Sequence, residues 1–474
     1  MGMGLTLPHL LYGFFTLAII VTMIFRRGVV LPTLLGTFVI AWVYQGNLID
    51  GFTAIFNANL VAAQELFSIF LIITFMLALL HSLRDLGADV RMIQPIQKMM
   101  VNGHVSFFIL IIVTYIISLF FWPTPAVPLI CALLVPAAVR AGLPAMTAAV
   151  AIAIAGQGMA LSSDYIVQVA PSLSAASAGI DVESVADKSL VLSLIAGGVA
   201  VSLTYLLYRK TIRSKNDPLN MAELQKLQTA EGSKNKVQTN NIDTWSKIFS
   251  VVVPITLLFV VIYMMYSKLF SEGSDELVGG GGAAFVGGVA VILLLLSTIA
   301  FGKYHALDYV SNHITDGFVF AFKAMGPVIP IAGFFFLGSP DFSGEIFGVE
   351  NGPALLFDLV TSTQEYLPQS ALLAGLSILI IGIITGLDGS GFSGLPLTGA
   401  LAATLETTSI DAATLAAIGQ MGAIWTGGGT IVAWSSLIAI AGFCGVSVME
   451  LVRKNFIPVI VGLIIATVVA VFLL

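Results

Sequence analysis

The chain has 474 residues, of which 58% are hydrophobic and 10% charged, and its formal net charge is −6. Soluble domains carry about 25% charged residues, so this composition and a mean hydropathy of +1.00 exclude an ordinary soluble fold. Repeated apolar runs of membrane-spanning length predict an all-α polytopic membrane protein. No phosphate loop, nucleotide fingerprint, zinc motif or hydrolase elbow stands in a credible context, so we expect neither an enzyme nor a nucleic-acid-binding protein. Cys131 and Cys444 lie in apolar segments and are predicted to be packing residues.

Fourteen apolar segments are predicted along the chain. Two of them, 143–180 and 410–446, are too long for one straight crossing, because ~38 helical residues would run ~57 Å against a hydrocarbon core of ~30 Å. We expect both to be broken, hairpinned or partly outside the membrane. The full set is 8–25, 28–49, 64–82, 104–122, 125–139, 143–180, 188–208, 246–266, 281–301, 322–338, 371–386, 391–405, 410–446 and 455–474.

The basic residues predict an orientation. With fourteen crossings and the N-terminus outside, all of the 20 lysines and arginines except Lys188 and Lys268 fall on the cytoplasmic side. The stretch 339–370, predicted to lie outside, contains five acids and no base. We therefore expect a multi-pass protein of a bacterial-type plasma (inner) membrane. Re-entrant hairpins remain an alternative to full crossings at some segments.

The chain is predicted to divide into a first transmembrane repeat (1–208), a cytoplasmic polar linker (209–245) and a second transmembrane repeat (246–474). The linker lacks an apolar face and is typical of a solvated connection. A regulatory contact or a contact with anionic lipid is the alternative.

The two halves carry matching patterns. Residues 142–168 and 408–434 each contain a small-residue helix, a Gly-Gln pair, a Gly/Ser/Thr-rich break and a second helix. Seven segments in the first half make the second half enter the membrane with the opposite sense. The pattern predicts two inverted-topology repeats of about seven helical segments each, with broken or re-entrant helices, an architecture common in secondary transporters.

Four irregular stretches interrupt the apolar segments. Lipid offers no partner for free backbone groups, so irregular backbone at membrane depth must be buried in protein or line a cavity. Broken helices expose carbonyls that suit cations and N–H groups that suit anions. We therefore predict one composite site near the midplane. The stretches are FWPTPAVP (121–128), GQGMALSSDY (156–165), GLDGSGFSGLP (386–396) and GQMGAIWTGGGT (419–430).

Asp164 and Asp388 are the two acids placed within these broken stretches. A carboxylate there costs a few kcal/mol unless it is paired, solvated or protonated. One interpretation is a cation site, with sodium or a proton on the carboxylate. The alternative is structural, with Asp164 capping a half-helix and Asp388 forming an ordinary Asp-Gly turn.

The candidate site residues form two predicted groups, and no cofactor other than the coupling ion is expected. The two glutamines at matched positions are either ligand contacts or partners in an inter-helix hydrogen bond. The predicted coupling-ion ligands are Asp164, Asp388, Ser162, Ser163 and Ser390, with the two aspartates as hypothetical sodium ligands. The predicted substrate contacts are Gln157, Gln420, Ser393, Thr426, Gly428, Thr430 and Pro125.

The matched halves and the paired Gly/Ser/Pro breaks resemble the ion transporter superfamily, which includes carriers of dicarboxylates, citrate and gluconate, and NhaC-type sodium/proton antiporters. Its members place short Ser/Asn/Thr motifs at hairpin tips and helix breaks, where sodium and carboxylate bind. SSD (162–164) and SGLPLTG (393–399) are the most similar stretches here, although a Ser-Asn-Thr signature is absent.

The resemblance implies a sodium- or proton-coupled secondary active transporter of a small organic anion of the carboxylate class. Two buried acids without buried bases favour the alternative, a sodium/proton antiporter in which the cation is the substrate. The expected partners are the substrate and the lipid bilayer, with a second copy of the chain as an option.

Overall fold

The computed structural model describes residues 5–25, 27–231, 243–270, 281–362, 370–388, 391–407, 409–433 and 435–473. Helices account for nearly all of the ordered backbone in these ranges, and no β-strand occurs within them. The predicted all-α class is therefore confirmed.

The helices before residue 232 follow the predicted order with several additions. They are α1 (Leu7–Ile24), α2 (Val30–Gln45), α3 (Leu48–Leu86), α4 (Ala88–Met99), α5 (Gly103–Phe121), α6 (Pro123–Arg140), α7 (Ala145–Ile152), α8 (Leu161–Ser163), α9 (Val169–Ala178), α10 (Val182–Tyr208) and α11 (Pro218–Glu231). A π-helical turn, Ala153–Ala160, joins α7 to α8.

The helices after residue 242 complete the fold. They are α12 (Asp243–Phe270), α13 (Gly281–Gly302), α14 (Ala306–Met325), α15 (Val328–Phe336), α16 (Pro340–Phe347), α17 (Leu355–Ser362), α18 (Ala371–Thr385), α19 (Leu395–Leu405), α20 (Ala412–Gly427), α21 (Ser435–Phe443) and α22 (Val448–Leu473). A short 3₁₀ turn, Gly386–Asp388, extends α18.

Side-chain caps fix where four of the longer helices begin. An Asn or Asp at the N-cap accepts a hydrogen bond from an otherwise free amide of the first turn. Asn47 caps α3 at 3.1 Å, Asn102 caps α5 at 2.9 Å, Asp181 caps α10 at 3.0 Å and Asp411 caps α20 at 2.6 Å. These polar residues stand directly before apolar runs, so the sequence itself sets the starts of these helices.

Two groups of helices make up the molecule. In the first, α9, α10, α18, α19, α20 and α22 pack together, with α5, α6 and α7 against them. In the second, α2, α13, α14 and α15 surround the long helix α3, and α12 packs on α4. Contacts of α15 with α19 and of α3 with α9 join the two groups.

Five stretches of helix within the described ranges are long and apolar enough to cross a membrane, and α3 is a sixth if its bent halves count as one span. Ala145–Ser163 is 94% buried inside the protein, against 39% for each of the other four. An apolar helix that is covered on all sides lies at the centre of a bundle, whereas half-covered helices have a face left for lipid. Residues 145–163 therefore form the helical segment at the centre of the bundle.

Three predicted boundaries differ from the structure. The segment predicted at 64–82 is part of a helix that begins at Leu48, because polar residues such as Asn57 and Asn59 lower the hydropathy of its first turns. Both side chains bond backbone carbonyls, at 3.3 Å and 2.8 Å, so the helix tolerates them. The stretch 339–370, predicted as a loop, contains α16 and α17, and α4 was not predicted.

The predicted linker is structured over its first part. Helix α11 buries Leu224 and Leu227, which are 7% and 3% exposed, against α6 and α21. The prediction that 209–245 lacks an apolar face is therefore wrong. Two leucines three residues apart lie on one side of a helix, and this spacing is too short a signal to stand out in a polar segment.

Candidate functional site

The first broken segment, residues 145–178, consists of α7, the π-helical turn, α8 and α9. Its helical path stops at Asp164 and resumes at Val169. Asp164 and Gln168 both adopt positive φ angles, 38° and 60°, which non-glycine residues rarely do. Such conformations persist only where the surrounding structure holds them, so the break in the helix is fixed by the packing around it.

The second broken segment, residues 412–443, consists of α20, an irregular stretch and α21. All sixteen residues of α20 are buried. The helix ends at Gly427, and Gly429 follows with a φ of +101°, a conformation that strains any residue with a side chain. The two long segments are therefore each broken after the Gly-Gln pair, as the matched patterns predicted.

The two broken segments contact each other through polar groups. Trp425 donates from Nε1 to Ser162 Oγ at 2.9 Å, and Gln420 donates from Nε2 to the carbonyl of Ser162 at 2.8 Å. Ser174 donates to Gln420 Oε1 at 3.1 Å. A Cβ on Gly158 would lie 2.6 Å from the Trp425 ring, so the indole lies flush on the glycine backbone. Three fully buried hydrogen bonds thus join the segments directly at their breaks.

The remaining two irregular stretches reach the same place. The ring of Trp122, between α5 and α6, lies 5.3 Å from the ring of Phe392. A Cβ on Gly391 would lie 3.0 Å from the amide nitrogen of Gly428, so the two backbones touch. The structure therefore brings all four stretches into one contiguous region.

Gln157 and Gln420 differ although their positions match. The Gln420 amide is used in the inter-helix hydrogen bonds described above. Gln157 is 0% exposed, and neither of its amide atoms has a hydrogen-bond partner in the described part of the chain. Its neighbour Gly158 faces Trp425, whereas Gly156 faces α5 and the start of α6, with Pro123 3.6 Å from its Cβ position. Helical periodicity directs Gln157 to the side between these contacts.

Asp164 caps the half-helix α9. Its Oδ2 accepts from the amide of Ala170 at 2.7 Å, and its backbone carbonyl accepts from the amide of Gln168 at 2.8 Å. Asp164 as a whole residue is 7% exposed. Free amides and the helix dipole at an N-terminus stabilise a negative charge, which explains how a buried acid is tolerated here. The structural alternative for Asp164 is thus present in the fold.

Three predicted residues are only partly placed. Asp388 ends the 3₁₀ turn after α18, but its side chain lies outside the described residues, as does the whole of Ser390. Pro125 is in the first turn of α6, and its side chain likewise lies outside the described atoms.

The hydroxyl groups of the other predicted residues are buried. Ser163 donates to the carbonyl of Ala160 at 3.2 Å, and Thr430 donates to the carbonyl of Trp425. Thr426 is 0% exposed, and its hydroxyl has no partner among the described residues. Ser163 and Thr430 therefore satisfy helix ends, whereas Thr426 keeps a free hydroxyl at the break.

The last two predicted contacts, Gly428 and Ser393, are buried at the breaks. A Cβ on Gly428 would lie 2.9 Å from the carbonyl oxygen of Gln157, so no larger residue fits there. Ser393 is 2% exposed in the stretch that precedes α19. The structure thus places Gly428 beside Gln157 and Ser393 in the second irregular stretch of that half.

Sequence reasoning missed three polar residues of this region. Ser193 of α10 lies 3.2 Å from Ser162 Oγ and donates to the carbonyl of Met159 at 2.7 Å. Asn455 of α22 donates to the carbonyl of Thr430 at 2.8 Å. A lone amide in an apolar helix, as in NFIPVIVG, is a signal that could have identified Asn455. Ser174 and Ser193 sit among other small residues, and nothing in the sequence distinguishes them.

The role of Asp164 as a cap leads to a prediction. Asp164→Asn keeps an acceptor for the Ala170 amide, so we expect a folded protein, whereas Asp164→Ala removes the cap and should cost about 1 kcal/mol. If the carboxylate also carries the coupling ion, the asparagine variant loses gradient-driven transport while its unfolding midpoint in detergent stays close to wild type. Normal transport by Asp164→Asn would refute the coupling role and leave only the cap.

The chain was compared with known proteins. No known family model matches it. It is 35% identical over 483 residues to the uncharacterized membrane protein YhfA of Bacillus subtilis (strain 168), with 100% of both chains covered. The chain belongs to the YhfA family. A YhfA-family protein is a membrane protein, in agreement with the apolar helices of this fold.

Proposed function

We propose that this YhfA-family protein is a secondary active transporter of a small organic anion of the carboxylate class, coupled to sodium or protons. It works by alternating access around the region where the four irregular stretches meet. The observation that supports this best is the pair of broken segments hydrogen-bonded through Ser162, with the buried amide of Gln157, which has no partner among the described residues, beside them. Rigid-body movement of one half against the other around such a region is how inverted-repeat transporters work.

The polar groups near Gln157 suit a carboxylate. An amide both donates and accepts, and burial of an unsatisfied amide costs about 1–3 kcal/mol, which a bound ligand would recover. The α6 helix begins at Pro123, whose Cβ lies 3.6 Å from the Cβ position of Gly156, so the positive dipole end of α6 lies beside the first Gly-Gln pair. The α9 N-terminus is already occupied by the carboxylate of Asp164, so the substrate would use the α6 end.

Asp164 is the proposed coupling group. Its carboxylate depends on the amides of α9 for stabilisation, so the charge on Asp164 and the position of α9 are linked. Binding of sodium or a proton would weaken the hold of Asp164 on α9. This link between ion binding and movement of a half-helix is what coupling requires. Ser162, Ser163 and the side chain of Asp388 are proposed to complete the ion site.

A second function has its own supporting observation. Among the described residues no lysine or arginine is buried, whereas Asp164 is. A site without a base neutralises an organic anion only through dipoles and co-bound cations. This favours a sodium/proton antiporter in which the cation itself is carried.

The superfamily, architecture and location of the protein are proposed on the same basis. We propose membership of the ion transporter superfamily, with two inverted repeats and a location in a bacterial-type plasma membrane. The proposed orientation places the N-terminus outside and residues 209–245 in the cytoplasm. No enzymatic activity and no cofactor beyond the coupling ion are proposed.

One experiment separates the two functions. Purified protein is reconstituted in liposomes, and internal pH is followed under sodium and proton gradients without organic solute. Exchange in this condition supports the antiporter and contradicts the anion transporter. If internal pH does not change in this condition but transport is measured once small carboxylates are added, the result supports the anion transporter. Protein-free liposomes are the control, and no flux in either condition would contradict both.

A further inference from the structure

Helix α11 lies across the ends of both broken segments on the side predicted to be cytoplasmic. It packs against α6, which leads into the first broken segment, and against α21, which ends the second. Leu227 reaches to 3.8 Å from the Cβ position of Gly445, in the turn after α21. A single helix of the connecting region therefore touches both halves, near the start of the first broken segment and at the end of the second.

Two charged residues attach this connection to the first broken segment. Glu223 accepts from the amide of Ala145, the first residue of α7, at 2.9 Å. Arg213 pairs with Glu223 at 2.8 Å, and both side chains are about one-fifth to one-quarter exposed. Charge-assisted hydrogen bonds that are partly shielded from water are stronger than exposed ion pairs. Glu223 thus supplies the N-terminal cap that α7 lacks in its own sequence, where Pro144 stands before Ala145.

The backbone before α11 is hydrogen-bonded to the turn between α6 and α7. The amide of Arg213 donates to the carbonyl of Gly142 at 2.8 Å. Gly142 has a φ of +101°, and a Cβ on it would collide with the carbonyl of Arg213. Only glycine allows this close approach, so the turn between α6 and α7 is shaped to receive the connecting chain.

We propose that α11 is a cytoplasmic clasp, which holds the ends of the two broken segments together and is released when the site opens to the cytoplasm. Any opening on this side separates the start of α7 from the end of α21. The clasp spans these two ends, so its contacts with one of them must break first. The step from clasp release to transport rests on the proposed function, whereas the release itself does not.

A native thiol reports on the clasp. Cys444 is 1% exposed and directly precedes Gly445, whose Cβ position lies 3.8 Å from Leu227. A membrane-impermeant maleimide is applied to inside-out vesicles, and mass spectrometry of the peptides measures the labelling rate of Cys444. Wild-type protein is expected to label slowly. Glu223→Ala, which loses both the cap and the ion pair, should label faster by on the order of tenfold, the change expected from losing about 1.4 kcal/mol of contact.

Two further variants sharpen the test. Arg213→Gln removes the ion pair but keeps the cap, so its rate should lie between those of wild type and Glu223→Ala. Lys215→Gln removes an exposed charge two residues away and should label at the wild-type rate. Equal rates in wild type, Arg213→Gln and Glu223→Ala would overturn the proposal, and so would equal acceleration by Lys215→Gln. Labelling needs no substrate, so the experiment tests release of the clasp even if the proposed transport function is wrong. If Glu223→Ala does not fold, Arg213→Gln still decides the outcome.

Discussion

Gln157→Leu is expected to slow transport strongly while the stability of the protein is unchanged or increased. Leucine and glutamine have similar volumes, and leucine removes an amide that has no hydrogen-bond partner in the described fold. Replacement of an unpaired buried polar group by an apolar one is neutral or stabilising. If the amide binds substrate, transport should fall by roughly 10- to 100-fold, the value of one hydrogen bond to a charged group.

Gln420→Leu is the matched control, since Gln420 occupies the corresponding position of the second half. Its loss leaves the carbonyl of Ser162 and the hydroxyl of Ser174 without their partner. We expect the free energy of unfolding to fall by about 1–3 kcal/mol. Denaturant unfolding in detergent and flux in liposomes measure the two effects. Loss of stability in Gln157→Leu, with full transport retained, would show that its amide is structural.

Gly158→Ala is expected to disrupt the contact between the two broken segments. A Cβ at this position would lie 2.6 Å from the buried indole of Trp425, whose Nε1 bonds Ser162. The ring cannot withdraw into solvent because Trp425 is 0% exposed. Overpacking of this kind costs about 1–3 kcal/mol, and the indole must give up its hydrogen bond to make room. Both the unfolding midpoint and the transport rate should fall.

Gly198→Ala is the control for this substitution. Gly198 lies in α10, and no atom lies within 4 Å of its Cβ position. Alanine there should be neutral or stabilise the helix by up to about 1 kcal/mol. Equal unfolding midpoints for Gly158→Ala and Gly198→Ala would mean that the Trp425 ring can move to accommodate a methyl group. The contact would then not hold the two broken segments together.

The sequence was sufficient to predict the helical class and the two breaks, because both depend on local composition. Apolar runs fix the helices, and the excess length of 143–180 and 410–446 requires an interruption wherever glycine and polar residues cluster. The structure breaks the first run at Asp164 and the second after Gly427. The meeting of the four stretches followed from the same constraint on irregular backbone.

The different uses of the matched glutamines could not be predicted. Gln157 and Gln420 each follow a glycine and stand six and seven residues before the end of a helix, but within the described ranges only Gln420 has a hydrogen-bonding partner. That difference depends on how α20 crosses the first broken segment, which is a property of packing. The docking of the linker was missed for a similar reason. Glu223 caps a helix 78 positions away in the chain, and no local pattern indicates such a contact.

Access to position 157 from the two sides of the membrane tests alternating access most directly. In a variant with Gln157→Cys, Cys131→Ser and Cys444→Ser, a membrane-impermeant thiol reagent is applied to right-side-out and inside-out vesicles. Labelling from both sides, with the preferred side changing when sodium is replaced or pH is shifted, is the predicted result. Labelling from one side only under every ionic condition, or from neither, would contradict a site that alternates between the two faces.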